Sequence, residues 1–418
     1  MRKLSLLSAL LILMVAVVPA FAGQGTPATA PMPAQDGDDM IVFAPGETVQ
    51  FGMAVDLSNL LPAPGEDMAN AATLAFIQFN EGADILGFEA ELMVEDDRCA
   101  PEDATSVANL FASNPQIVGV VGHMCSGATI AASEIYEDAG IPMVSPSATA
   151  GAVTARGLSV VNRTAFNDNV QSIVSARYIV EVLGAETVAV LHDNSDYGNG
   201  LASSVNETLQ GLGVEVTTFE VVDPDEQDYR SQLTVIAGDA PDLVYFGGYQ
   251  NQAASLVEQM REVGLEDTIF FAPDGVNTQD YLDLAGDNGD GTYVTFGQGI
   301  GSVEESNVAF DEAYEAEFSV APDDLGPFHA QAYDAANVLL AAAQEVAELD
   351  DDGNLMISRS AMIEAVRATA DFQGISGTIT CTETGDCGTL LISVFVAEDG
   401  EWVEVDVPAE LQVFQVEE

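Results

Sequence analysis

From about Thr48 onward the chain alternates short apolar runs with amphipathic stretches, and Gly or Pro punctuates almost every join. Runs at 49–55, 89–95, 117–122, 143–147 and 160–163 read as strands, with helices over 66–80 and 104–112 between the first of them. A second series begins near Asn167. It has helices over 170–183, 200–212, 228–237 and 253–263 and strands at 187–192, 215–222, 243–246 and 268–272. Strand–helix alternation of this kind builds parallel sheets covered by helices on both faces. Roughly 370 residues exceed what one such layer buries, so the expectation is an α/β chain of two lobes. A third stretch carries helices over 307–318, 329–346 and 360–369.

The N-terminus is of another kind. Arg2 and Lys3 precede an apolar run from Leu4 to Val18, and Ala20-Phe21-Ala22 is a small-x-small cleavage site. This is the pattern of a secretory signal peptide over 1–22, cut after Ala22. Residues 23–46, rich in Pro, Ala, Thr and Gly, read as a flexible tether. The mature protein is therefore expected in a periplasm or outside the cell.

Removal of Arg2 and Lys3 leaves eight arginines against sixty-eight carboxylates. So acidic a surface repels nucleic acid and anionic lipid, which recognise basic patches. High salt, which screens such repulsion, and acid, which neutralises it, are both open as its setting, with calcium binding a weaker third. An exported chain with Cys99, Cys125, Cys381 and Cys387 suggests disulfides. Cys381 and Cys387, in CTETGDC, are close enough for a turn clip, which leaves Cys99 for Cys125. No zinc site is expected, since CxxC spacing is absent and His123, His192 and His329 are far apart.

Ligands of open parallel sheets sit beyond the carboxyl ends of strands. Candidate binding residues fall at five such ends. Ser126 stands in VVGHMCSGAT, where a helix start offers free amides to a carboxylate; an ordinary N-cap would equally explain it. Ser147, Ala148 and Thr149 follow in SPSAT, a hydroxyl-bearing turn with a free carbonyl. Tyr197 lies in HDNSDYGNG, Tyr249 in VYFGGYQNQ and Asp274 in FFAPDGVN. Asp274 suits an ammonium, and the tyrosines an amphipathic wall with hydroxyls for a carboxylate. A serine hydrolase fits poorly. The loop G-H-M-C-S-G is not G-x-S-x-G, and His123 three residues away is badly placed as a base. No phosphate-binding GxxxxGK occurs.

Taken in this order and spacing, these motifs closely resemble the periplasmic leucine/isoleucine/valine-binding proteins, soluble receptors of branched-chain amino-acid ABC transporters. The resemblance covers nearly everything after the tether. It implies two flavodoxin-like (Rossmann-like) lobes with parallel sheets, joined by hinge crossovers, with the ligand in the interlobe cleft. Lobe 1 would comprise 47–166 plus 297–375 and lobe 2 167–296 plus 376–418, the last crossing falling near Gly374–Gly377. It also implies a Cys99–Cys125 bridge. Ser126, Thr149, Tyr197, Tyr249 and Asp274 would grip the α-carboxylate and α-ammonium, with the Ser147 carbonyl as a further acceptor. The expected partners are a small amino-acid ligand and a membrane permease, with the receptor itself a monomer; neither cofactor nor catalysis is needed. A sensory or chemoreceptor protein with the same fold is the alternative.

Two departures stand out. The family usually has Glu where this chain has Asp274. Its first-lobe loop carries an aromatic wall, whereas DLSNLLPAPGED has none. Leu61 or Pro64 is left to take that place, and Phe328 in GPFHAQAYDA to supply another wall.

Overall fold

A computed structural model describes residues 39–298 and 304–412. The expected signal peptide, and the expected tether as far as residue 38, lie outside them.

Two sheets organise the chain. The first has five strands, all parallel, in the spatial order Ala90–Asp96, Val49–Val55, Ile117–Gly122, Met143–Ser145, Val161–Arg163. The second repeats that order with Glu215–Val221, Thr187–His192, Leu243–Gly247, Ile269–Ala272 and Tyr293–Gln298. In each, the first strand along the chain lies between the second and third, the flavodoxin-like order with its switch point beside that strand. Most side chains of both sheets are buried, as layers covered on both faces require. Leu391–Glu398 and Glu401–Val405 join the second sheet antiparallel, so it is mixed rather than wholly parallel.

Several boundaries differ from those expected. The tether does not reach residue 46, because Met40–Phe43 is a strand paired antiparallel with Leu355–Ser358. Ile41 and Phe43 are buried while Met40 and Val42 are exposed, the alternation of a half-buried strand. The first long helix starts at Pro62 rather than near 66. Proline is tolerated in a first turn, where its missing N–H would have no helical acceptor. Asp56 holds the preceding loop, accepting from the amides of Ser58, Asn59, Leu60 and Leu61. Gly65 packs on that loop so tightly that an added Cβ would collide with the Asp56 carbonyl.

The chain passes to the second layer after Arg163, where helix Asp168–Glu181 packs on strands Tyr293–Gln298 and Leu391–Glu398. Helix Glu304–Phe318 is back against helix Pro62–Gly82. Gly374 and Gly377 do not make the last crossing. They close a small hairpin of Phe372–Gln373 with Thr378–Ile379, Gly377 at φ +128°. The chain then stays beside the first sheet: Arg163 donates its amide to Gly385 O, and Cys387 N donates to Arg163 O. It enters the second sheet only at Leu391, so residues 376–387 belong with the first lobe. Both disulfides, Cys99–Cys125 and Cys381–Cys387, are formed. Among the described residues no helix is long and apolar enough to cross a membrane.

Candidate functional site

The carboxyl ends of the two sheets face one cleft, at whose edge helices Ser126–Ala139 and Asp196–Gly211 meet. The cleft holds about 440 Å³ of empty space, counting its mouth. Ser126, Ser147, Thr149 and Phe328 line it from the first lobe, and Tyr197, Tyr249 and Asp274 from the second. Seven of the eight residues singled out in the sequence thus converge. Ala148 does not: it is fully buried behind the turn, its amide on Ser145 Oγ and its carbonyl on Arg163.

Ser126 is the first residue of its helix and not the cap; Cys125 occupies that position and makes no side-chain cap bond. The first helical bond at this end runs from Thr129 N to Cys125 O, so the amides of Ser126, Gly127 and Ala128 have no intrahelical acceptor. The Ser126 hydroxyl oxygen accepts from Ala150 N at 3.2 Å, which leaves its proton to be donated elsewhere. Cys125, bridged to Cys99, anchors the strand-to-helix turn.

The SPSAT turn is held from behind by Arg163, which is fully buried. Its Nη1 donates to the carbonyls of Ala148, Thr149 and Ala150 at 2.9, 2.6 and 2.9 Å. Its Nε and Nη2 meet Asp386 inside the Cys381–Cys387 loop. Burial is offset here because every face of the guanidinium meets an acceptor. The Ser147 hydroxyl donates to Met124 O, whereas the Thr149 hydroxyl, also buried, has no hydrogen bond of full geometry.

On the other wall Asp274 is 5% exposed. Its Oδ1 accepts from Tyr197 OH and from Gln171 Nε2, each at 2.8 Å. Burial pushes its carboxyl up to about 6, against the pull of those hydrogen bonds. The Tyr197 oxygen in turn accepts from Gly275 N, so this hydroxyl is committed to orienting Asp274 rather than free for a carboxylate. Tyr197 lies in the first turn of a helix begun by Ser195, whose Oγ accepts from Gly198 N; the glycines of DYGNG hide that helix from a periodicity reading. The ring of Tyr249 stands 5.1 Å from that of Tyr197.

Leu61, Pro64, Met68 and Met124 make the apolar part of the lining. Leu61 and Pro64 occupy the region where the family resemblance puts an aromatic wall. Phe328 closes the other side, backed by Phe296 at 4.9 Å and Phe166 at 6.0 Å between ring centres. Met68, Met124 and Thr278 were not singled out in the sequence, nor were Asp168 and Gln171, which lie behind Asp274. The methionines carry no motif, and Asp168 reads as an ordinary acid in a helix's first turn. Among the described residues no cluster of His, Cys, Asp and Glu is arranged to hold a metal ion.

Two flavodoxin-like layers with polar strand ends around one shared cleft define a hinged solute receptor. The periplasmic binding protein family model matches residues 48–391, and the chain belongs to that family. The leucine-, isoleucine-, valine-, threonine- and alanine-binding protein of Pseudomonas aeruginosa is 31% identical over 84% of this chain and 90% of its own length. A leucine-binding protein from Thermotoga maritima superposes with a TM-score of 0.77 at 26% identity, over 87% of this chain and 99% of the other. The branched-chain amino acid transporter substrate-binding protein of Streptococcus pneumoniae, solved with isoleucine, gives a TM-score of 0.74 at 26% identity, over 86% and 100%.

Proposed function

We propose that this chain is the extracytoplasmic receptor of an ABC transporter, taking one α-amino acid with an aliphatic side chain between its lobes and delivering it to a membrane permease. One observation carries the reading. A single cleft joins an anionic end at Asp274, an amide-and-hydroxyl end at Ser126 and Thr149, and an apolar remainder formed by Leu61, Pro64, Met68, Met124 and Phe328. Those are the three parts of an aliphatic amino-acid zwitterion. The names of the relatives support the same ligand class and the same transport role.

In this reading the ligand carboxylate receives the Ser126 hydroxyl and the amides of the helix start, where charge-assisted bonds are strongest. The ammonium lies against Asp274, with the Ser147 carbonyl and Thr149 hydroxyl as further acceptors. The ligand joins contacts from both lobes, so it favours the closed form, and closure is the signal a permease reads. Lobe 1 is assigned 39–166 plus 304–387 and lobe 2 167–298 plus 391–412. The protein acts as a monomer outside the cytoplasm, without catalysis. A thermal-shift screen of the twenty common amino acids tests the reading. A true ligand at a hundred times its Kd adds about 2.7 kcal/mol of stability. No shift with any aliphatic amino acid would sink it.

A further inference from the structure

The loop closed by Cys381–Cys387 lies flat on the last strand of the first sheet. Arg163 N donates to Gly385 O and Cys387 N to Arg163 O, each at 2.9 Å. The approach is so close that a Cβ on Gly385 would collide with the Val161 carbonyl, and one on Gly388 with those of Thr164 and Ala165. Arg367 holds the loop from its other side, Nη1 donating to Glu383 O at 2.6 Å and Nη2 to Val161 O at 2.8 Å. Eight arginines and no lysine follow residue 22, and two of those few cations, Arg163 and Arg367, are committed to this one loop.

Asp386 is the hub of the loop's contacts. Arg163 Nε donates to its Oδ1 at 2.7 Å, and Nη2 lies 2.6 Å from the same oxygen. Thr154, in the short helix after the SPSAT turn, donates to it at 3.1 Å. Asn167, the N-cap of the helix that enters the second layer, donates at 3.2 Å. Burial alone would raise the carboxyl. The Arg163 charge and the hydrogen bonds from Arg163, Thr384 and Thr154 outweigh it and hold the group below the usual carboxylate range, so Asp386 is an anion at neutral pH.

Neither Asp386 nor Arg163 lines the cleft, yet an unbroken run of contacts leads there from both. The guanidinium draws the carbonyls of Ala148, Thr149 and Ala150 toward one point. Three carbonyl dipoles converge on a cation, and a buried cation stays in place only beside its counter-ion. With the turn held in that orientation, Ala150 N donates to Ser126 Oγ and the Thr149 side chain faces the cleft. We propose that Asp386, on the disulfide-closed loop, is a positioning residue for ligand binding: acting through Arg163, it fixes the turn that presents Thr149, the Ser147 carbonyl and the Ser126 hydroxyl to the ligand. The inference rests on the amino-acid reading above. Without the anion the guanidinium is an uncompensated buried charge, drawn toward solvent, and the three carbonyls lose their common donor. The turn then samples other orientations and the ligand meets it less often in the right one. A carboxylate that served only the fold would lower stability and leave the affinity of the folded receptor unchanged.

The test is Asp386→Asn, which keeps the side chain's shape and an acceptor oxygen but not its charge. Calorimetry at pH 7 measures the affinity of the folded variant for L-leucine or, if that gives no heat, for whichever common amino acid binds the wild type. Hydrogen–deuterium exchange of the ligand-free protein reads the turn itself. The expected result is a Kd weaker by roughly fivefold or more, the range of effects carried through such contact networks. Exchange should quicken over 145–151 and stay unchanged over 243–249 on the opposite wall. If Asp386→Asn does not fold, the double variant Cys381→Ser/Cys387→Ser, which opens the loop and leaves Asp386 in the chain, decides by the same two readouts. A smaller change in Kd, unchanged exchange over 145–151, or equal quickening on both walls overturns the proposal and leaves the amino-acid reading standing. Absence of binding by every amino acid overturns both.

Discussion

Replacing Asp274 by Asn should weaken ligand binding and strengthen the empty protein at once. The carboxylate is the anionic group of the cleft and is 5% exposed, with Tyr197 and Gln171 aiming it. An asparagine keeps an oxygen for both donors but turns its NH₂ toward the ligand ammonium. Losing one partner of such a desolvated charge pair costs on the order of 2–5 kcal/mol, or roughly 30- to 5,000-fold in Kd. The sign for stability is opposite. The carboxyl titrates at about 6 in the folded chain, against 3.8 unperturbed. Between those values the folded state binds more protons than the unfolded, so stability falls as pH rises through that window. By pH 7 the full penalty is present, about 3 kcal/mol at 1.36 kcal/mol per pH unit. Asn escapes it. Ligand-free Asp274→Asn should therefore melt above wild type at pH 7, with the gap closing by pH 4, while calorimetry at pH 7 shows the lost affinity. Unchanged affinity would remove Asp274 as the ammonium partner. A variant no more stable than wild type at pH 7 would refute the burial penalty.

Other outcomes are expected elsewhere. Converting Cys99 and Cys125 to Ser should cost about 3–4 kcal/mol by chain entropy and lower affinity too, since Cys125 starts the Ser126 helix; loss of stability with unchanged affinity would detach the bridge from the site. Arg163→Met leaves Asp386 without its main partner and frees three carbonyls of the SPSAT turn, so denaturant unfolding should show a loss of about 3–5 kcal/mol. The formal charge of −58 is screened over about 30 Å at 0.01 M salt and about 3 Å at 1 M, so the melting temperature should climb with sodium chloride across that range. A flat titration would mean that bound cations already offset the acids.

What the sequence showed follows from which forces are local. Strands such as Ile117–Gly122 and Leu243–Gly247 announce themselves because strands buried on both faces are continuous apolar runs. Their ends locate Ser126, Thr149, Tyr249 and Asp274 without knowledge of the rest. Met40–Phe43 stayed hidden because its partner strand begins at Leu355, far along the chain. Gly374 and Gly377 suggested a crossing, yet glycines serve a hairpin equally well, and only the Arg163–Asp386 contact reveals where the chain stays. Ala148 was grouped with its neighbours because a turn's sequence does not say which residues point inward. Asp168 and Gln171 share a helix face whose acid and amide look solvated until Thr149 from the first lobe and Asp274 and Thr295 from the second close over them.

The central claim is that both charged ends of one amino acid are gripped in the cleft. Calorimetry with L-leucine, its decarboxylated amine 3-methylbutylamine and its deaminated acid 4-methylpentanoate, in one buffer at pH 7, tests it most directly. Leucine should bind, and each truncated analogue should bind weakly or not at all, because removing either end leaves Asp274 or the amides of the Ser126 helix start without a partner in a closed cleft. Either analogue binding as tightly as leucine would contradict the claim.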